Sequence, residues 1–396
     1  MKKIGIICEY NPFHNGHLYH INKIKEMYPD SLIILVMSSS FTERGDISLI
    51  DKWSKTKIAL NHNIDLVLEL PCPFAFESAD TFAYGAIRIL SYFHIDYLVF
   101  GSELNDIKIL EELVDIQLNN PDYDKLVKEY LDDGLNYPTS MAKALEDIST
   151  YKINSPNDLL GLSYIKQIKK AHLKIEPVSI LRTNDYHSTD LNNDIISAKA
   201  IRNALYNKQD ITRYVPRDTL EYLPKNNKFY DNYFRLLKYK LISEIDELDK
   251  YMDVSEGIDK RIKKCLLQSS NYQELIDNIK TKRYTYNRLN RMFAHILLNY
   301  TKEKSQLFKE ITYIKVLGFN KLGSELIKEI KKEELIPLIT NYSDLDDPLL
   351  DYELQITFIY NMIMENNLNT IELKSIPIIK NSDLHHYFIF VTYLIS

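Results

Sequence analysis

The chain has 396 residues, 45% of them apolar and 26% charged, an ordinary balance for a soluble globular protein of two or three domains. No apolar run is long enough to span a bilayer, and the apolar segment behind Met1-Lys2-Lys3 ends at Glu9, too short for a signal peptide. The net charge of −6 does not by itself suggest a nucleic-acid partner, so the distribution of charge has to be read instead. Cys8, Cys72 and Cys265 lie far apart, have no metal-ligand spacing, and read as reduced, mostly buried thiols of a cytoplasmic protein.

The chain opens on Ile4, Ile6, Ile7 and Cys8, a short apolar run that reads as a buried strand. Asn11-Pro12 forces a turn, because Pro12 fixes its own φ and pushes Asn11 out of the helical region. His14-Asn15-Gly16-His17 follows, and then a helical pattern with Leu18, Ile21, Ile24 and Met27 on one side. A strand, a turn, a glycine and a helix start aim free N–H groups and the positive helix end at an anion. His14 and His17 stand where they can donate hydrogen bonds to a phosphate undergoing substitution.

Residues 32–37 read as a second buried strand, 51–61 as a helix, and 65–70 as a third strand stopped by Pro71 and Pro73. Residues 82–93 are helical, and 96–100 form a fourth strand ended by Gly101. Such alternation with near-continuous apolar strands predicts a parallel sheet covered on both faces, with ligands beyond the carboxyl ends of the strands. Residues 105–147 read as a helical insertion. Ser155 and Pro156 open another helix, residues 178–181 form a strand leading to Arg182, and Ser197 starts a helix running to 205. The expected fold class is therefore α/β, a Rossmann-like parallel-sheet domain over 1–205 followed by a mostly α-helical domain over 206–396.

In that second part, residues 260–291 carry nine Lys or Arg against two acids, a net of +7 inside an acidic chain. Leu289, Met292, Phe293, Ile296 and Leu297 follow helical spacing toward a core, with Arg288, Arg291 and His295 on another face. A basic stripe of Lys282, Arg283, Arg288 and Arg291, beside Tyr284 and Tyr286, suits RNA phosphates and exposed bases. A solvated charged face is the plainer alternative. Residues 349–396 give no signal beyond apolar helices and Tyr/Phe-rich packing.

The H-x-G-H pattern between strand and helix resembles the signature of the nucleotidyltransferase superfamily, shared with class I aminoacyl-tRNA synthetases. A more specific resemblance runs nearly the whole chain. The Glu-Tyr-Asn-Pro-Phe-His-Asn-Gly-His run at 9–17 is similar to the opening of the tRNA(Met) cytidine acetate ligase family. Also similar are residues 36–46 with Asp51-Lys52-Trp53, Leu68-Glu69-Leu70-Pro71, and Phe100-Gly101-Ser102-Glu103. Ser155-Pro156-Asn157, Asp185-Tyr186-His187, Lys282-Arg283-Tyr284-Thr285 and Leu317-Gly318-Phe319-Asn320 continue it in order. Four positions depart from the pattern: Ser39 for a usual glycine, Glu43 for a glutamine, Ala198 for a serine, and Lys199 for a threonine.

The resemblance implies an enzyme that activates acetate to acetyl-adenylate with ATP, accompanied by Mg. It then acetylates N4 of the wobble cytidine of elongator tRNA(Met). It implies ATP contacts from Ile7, Cys8, Glu9 and Tyr10 at the strand end, and from Asn11, Pro12 and Phe13 in the turn. His14, Asn15, Gly16, His17, Leu18, Tyr19 and His20 complete that run, joined by Gly101, Asn157 and Arg182. Ser197 and Arg202, at a helix start, are further candidates for the triphosphate. His14 and His17 are the expected catalytic pair, with no protein-held metal site and no protein partner. Two rival readings share the first half: a small-molecule adenylyltransferase, and a non-enzymatic RNA-binding protein on a nucleotidyltransferase fold.

Overall fold

The structure, a computed structural model, describes residues 1–149, 151–153, 155–182, 195–366, 369–374 and 376–380. The Asp185-Tyr186-His187 motif and the end of the 349–396 segment, from 381 on, lie outside the described residues. Strands β1 (Lys2–Cys8), β2 (Ser31–Ser38), β3 (Leu66–Leu70), β4 (Tyr97–Ser102) and β5 (Glu176–Leu181) run parallel in the spatial order β5-β4-β1-β2-β3. Every residue of β2 is buried, which explains its unbroken apolar sequence: helices cover both of its faces.

The helices between these strands are α1 (Asn15–Met27), α2 (Lys52–Asn61), the short α3 (Cys72–Ala75) and α4 (Ala79–Ser91). The expected insertion is three helices, α5 (Ile107–Asn119), α6 (Pro121–Asp132) and α7 (Tyr137–Ser149). Two local rules place the next ones. The Ser155 hydroxyl accepts the Asp158 N–H at 3.0 Å to open α8 (Pro156–Lys170), and Ser197 accepts from Ala200 at 3.2 Å to open α9 (Ala198–Tyr206).

The chain progresses from β1 to β2 to β3 in one direction, then jumps to β4 on the other side of β1. The order of the strands therefore reverses between β1 and β4, and a parallel sheet opens a crevice at the carboxyl edge of such a pair.

The second half differs from the sequence expectation in one respect. It is mostly helical, through α10 (Arg217–Tyr222), α11 (Lys228–Ser243), α12 (Ile258–Leu266), α13 (Tyr272–Ile279), α14 (Tyr286–Leu297) and α15 (Lys302–Leu307). It then returns a strand, β6 (Ile314–Phe319), which pairs antiparallel with β3. Helix α16 (Lys321–Lys331), β7 (Leu338–Ile339), α17 (Pro348–Met364), α18 (Asn369–Lys374) and β8 (Ile378–Ile379) follow, with β7 and β8 both parallel to β6. One apolar core runs from Ile4 to Ile378 across both halves. The lysine at 315 hides β6 in the sequence, because it breaks the apolar run while its side chain is only 1% exposed.

That lysine belongs to a buried ionic cluster. Lys315 Nζ lies 2.7 Å from Glu372 Oε1, and Lys52 Nζ lies 2.7 Å from Glu69 and 2.8 Å from the same Glu372 oxygen. Glu353 of α17 accepts from Ser39 Oγ at 2.8 Å and from the Cys72 N–H at 2.7 Å. Burial disfavours the charge on Lys52, but Glu372, Glu69 and Glu353 together hold its pKa above the usual range. The cluster ties the late helices to α2 and β3, so charges taken out of water are satisfied only when both halves are in place. Ser39, a departure from the family pattern, has its role here. Among the described residues no helix is long and apolar enough to cross a membrane.

Candidate active site

The crevice at the β1/β4 edge is lined by the segment after β1, the loop after β2, Gly101 in β4, Asn157 in α8, Arg182 after β5 and the start of α9. His14 is the N-cap of α1. Its Nδ1 accepts the Gly16 N–H at 2.9 Å, while the His14 N–H donates to His17 Nδ1 at 3.3 Å. A neutral imidazole carries one proton, so two Nδ1 acceptors leave Nε2–H as the donor of each ring. The rings are tilted by 35° with centroids 4.0 Å apart. Gly16 is required for this, since a Cβ there would fall 2.6 Å from His14 Cε1.

Burial, reinforced by the Arg182 and Arg202 guanidinium groups, pushes the His14 pKa down to about 3. Burial acts the same way on His17, with His14 and Arg182 adding to it, and holds it well below the usual histidine range. His20 is pushed down to about 4 by burial and Arg182, and its Nε2 is buried with no hydrogen-bond partner. All three are neutral donors or acceptors at neutral pH. The site thus offers two N–H donors and two fixed cations around one helix start, a setting for an anion that gains charge in a transition state.

The β4 side of the crevice is organised by Glu103, a member of the 100–103 motif with no role assigned from the sequence. Its carboxylate accepts from Asn157 Nδ2 at 2.6 Å and from Ser155 Oγ at 2.6 Å, and lies 3.3 Å from Arg182 Nε. Gly101 serves this arrangement: a Cβ would meet Arg182 Cγ at 3.1 Å, so the glycine gives passage to the arginine stem. On the other side, Arg202 donates to the Asn11 carbonyl at 2.8 Å and to Asp46 at 3.1 Å. Ser197, Ala198 and Lys199 line the cleft with it.

Ile7, Cys8, Glu9, Tyr10, Asn11, Gly16, Tyr19 and His20 line the crevice beside the two histidines. Four other members of the run point elsewhere. Phe13 is fully buried and stacks on His62 at 5.0 Å, Pro12 is buried with it, Leu18 packs on the core, and Asn15 holds the backbone of residues 213 and 214. Sequence reading missed Lys55, whose Nζ donates to the carbonyls of Ser38 at 2.7 Å, Ser39 at 2.9 Å and Glu9 at 3.1 Å. It stitches the ends of β1 and β2 together. Nothing in a lone lysine four residues into a helix signals that role. Thr42, Arg44 and Asp46, in the loop of the 36–46 motif, also line the crevice, but that loop has no periodicity from which to assign them individual roles.

The basic stripe is divided. Lys282 and Arg283 are exposed, and Arg288 lies over the Tyr284 ring at 4.0 Å. Arg291 turns inward, 3.3 Å from Glu43 and 3.9 Å from Asp253. His295, expected on the same face, is fully buried and its Nε2 lies 3.1 Å from the Phe76 carbonyl oxygen. The helical face narrows to the core one turn earlier than the charge pattern suggests.

Residues 1–375 match the HIGH Nucleotidyl Transferase family. The tRNA(Met) cytidine acetate ligase of Anoxybacillus flavithermus is 38% identical over 386 residues, 93% of this chain and 96% of that protein. That of Clostridium perfringens is 38% identical over 385 residues, covering 92% and 96%. The crystal structure of Thermotoga maritima TmcAL, 30% identical, superposes with a TM-score of 0.87 over 96% of this chain and 100% of that one. A second form of the same protein, bound with alpha-thio ATP, gives 0.85 over the same shares. The chain belongs to the HIGH Nucleotidyl Transferase family, among the tRNA(Met) cytidine acetate ligases.

Proposed function

We propose that this protein activates acetate with ATP and acetylates N4 of the wobble cytidine of elongator tRNA(Met). One acetate oxygen attacks the α-phosphorus, the bond to the β-phosphate bridge breaks, and pyrophosphate leaves. The cytidine N4 then attacks the acetyl carbonyl, loses a proton, and expels AMP. Both steps need positioning and charge stabilisation more than covalent help from the protein.

The observation that carries the reading is the pair of Nε2–H donors fixed by the Nδ1 bonds of His14 and His17. They would meet the α-phosphate as charge develops on it, with Arg182 and Arg202 as the cations. Glu103 holds Asn157 and Arg182 at the adenosine side. Magnesium enters as the counter-ion of ATP. Among the described residues no group of three or more His, Cys, Asp or Glu side chains could hold a metal ion.

In this reading residues 1–205 carry activation and the exposed Lys282 and Arg283, with Arg288, meet tRNA phosphates in the cytoplasm. The +7 stretch favours an RNA acceptor over a small metabolite, and the intact histidine pair favours an enzyme over a binding protein. The test is acetyl-adenylate formation from ATP and acetate without tRNA. His14→Ala or His17→Ala should each lower it by about 10²–10³-fold, the usual loss for one transition-state donor. Near-wild-type pyrophosphate release from a folded double variant contradicts the assignment.

A further inference from the structure

The loop after β2 is a tight hairpin between the crevice and α14. Phe41 and Ile47 bridge its base, Gly45 donates to the Thr42 carbonyl at 2.9 Å, and the Asp46 N–H donates to Thr42 Oγ1 at 3.1 Å. On the crevice side, the Glu43 N–H donates to Glu9 Oε1 at 2.6 Å. On the opposite side the hairpin touches α14 backbone to backbone. Gly45 has φ +75°, and a Cβ there would lie 2.4 Å from the Arg291 nitrogen, so a side chain is excluded twice over.

Two polar lines cross this contact. Asn290 donates to Asp46 at 3.1 Å, and Asp46 holds Arg202, which reaches the Asn11 carbonyl. Arg291 donates to Glu43 at 3.3 Å with its other edge toward Asp253. The side chains of Arg291 and Glu43 are about one-fifth exposed, so the pair is shielded from water more than an ordinary surface bridge.

We propose that Arg291 is a positioning residue for acetate activation: it clamps the 41–47 hairpin through Glu43, and the hairpin fixes the Glu9 carboxylate at the end of β1. The inference rests on the crevice being the activation site, and it reassigns Arg291 from the RNA-facing stripe to that site. Helix α14, whose first turn carries Arg288, then abuts the activation centre directly. Glu43 stands where the family pattern has glutamine. A glutamine keeps a hydrogen bond to the guanidinium and loses only the charge, so the clamp tolerates that exchange.

The experiment is tRNA-free pyrophosphate release with ATP and acetate, resolved into kcat and the KM for ATP, alongside thermal unfolding. Arg291→Ala and Glu43→Ala should each lower kcat by about tenfold, as for a displaced positioning group, with the KM for ATP changed less than about twofold. The double variant should be no slower than either single one, because both remove the same clamp. Glu43→Gln should remain within about twofold of wild type. Wild-type kcat in Arg291→Ala, whatever its tRNA affinity, overturns the clamp, and so do additive losses in the double variant. Should Arg291→Ala fail to fold, Glu43→Ala decides: a loss restored in Glu43→Gln supports the clamp, and an unchanged rate overturns it. A wild-type protein that releases no pyrophosphate with acetate overturns the underlying activation reading, and the clamp with it.

Discussion

Asn15 holds Tyr214 in place: its backbone N–H donates to the Tyr214 carbonyl at 2.9 Å, and its amide reaches the Arg213 carbonyl at 2.8 Å. Tyr214 belongs to a small core of its own, with Ile196, Ala200, Ile201, Ala204, Ile211 and Val215, separate from the main one. That unit delivers Ser197 and Arg202 to the crevice, so the variable position of the H-x-G-H stretch docks the element that completes the site.

Asn15→Ala removes one side-chain hydrogen bond, worth about 1 kcal/mol, from that docking. The KM for ATP should rise about fivefold, because the seating of α9 weakens while the histidine pair stays intact. Titration of ATP in the tRNA-free assay measures it. An unchanged KM would mean that Arg202 alone seats the unit.

Stability should fall on acidification, and His14 should account for part of the loss. Its pKa is about 3 in the fold and about 6.5 in the unfolded chain. The unfolded chain therefore takes up the proton first, so this contribution is complete above pH about 6.5 and is lost as pH falls toward 3. By pH 5 the loss amounts to about 2 kcal/mol. Glu9, raised to about 6 by burial, acts in the opposite sense: its contribution is complete below about 4.5 and is lost as pH rises through 6. Urea unfolding at neutral pH and at pH 5 should show His14→Asn losing about 2 kcal/mol less than wild type, with the Glu9 contribution common to both. Equal losses would place the proton uptake elsewhere.

Lys52→Met leaves Glu69 buried without its nearest cation and takes from Glu372 one of its two. The expected cost is about 3–5 kcal/mol, the range for breaking a buried ion pair from one side. Urea midpoints read it, and a loss below about 1 kcal/mol would mean that Lys315 compensates alone.

Lys282→Gln with Arg283→Gln should weaken tRNA binding irrespective of sequence and reduce the slope of affinity against salt by up to about two, one per phosphate contact. Filter binding at several salt concentrations measures it. An unaltered slope would make these two residues a solvated face and move the tRNA elsewhere.

Much of this was legible in the sequence because it follows from local rules. The apolar runs of β1 to β4, the serine caps of α8 and α9, and the histidines around Gly16 all depend on neighbours a few positions away. What escaped depends on distant partners. Lys315 breaks an apolar run until Glu372 is beside it, and Glu103 has no legible role until Asn157 and Arg182 converge on it. Arg291 reads as part of a basic stripe because its anion, Glu43, lies 248 positions away. Charge pairs across a fold have no periodicity, so a stripe counted along one helix overstates what faces solvent.

The proposed intermediate is an acyl-adenylate made at the histidine pair and discharged onto cytidine. It is tested most directly by running one full turnover with ATP, tRNA and acetate labelled with heavy oxygen on both carboxylate atoms. One heavy oxygen is expected in the released AMP and the other in the acetyl group of the N4-acetylcytidine recovered from the tRNA. Unlabelled AMP, or heavy oxygen in orthophosphate with ADP as the nucleotide product, would contradict attack of acetate on the α-phosphorus.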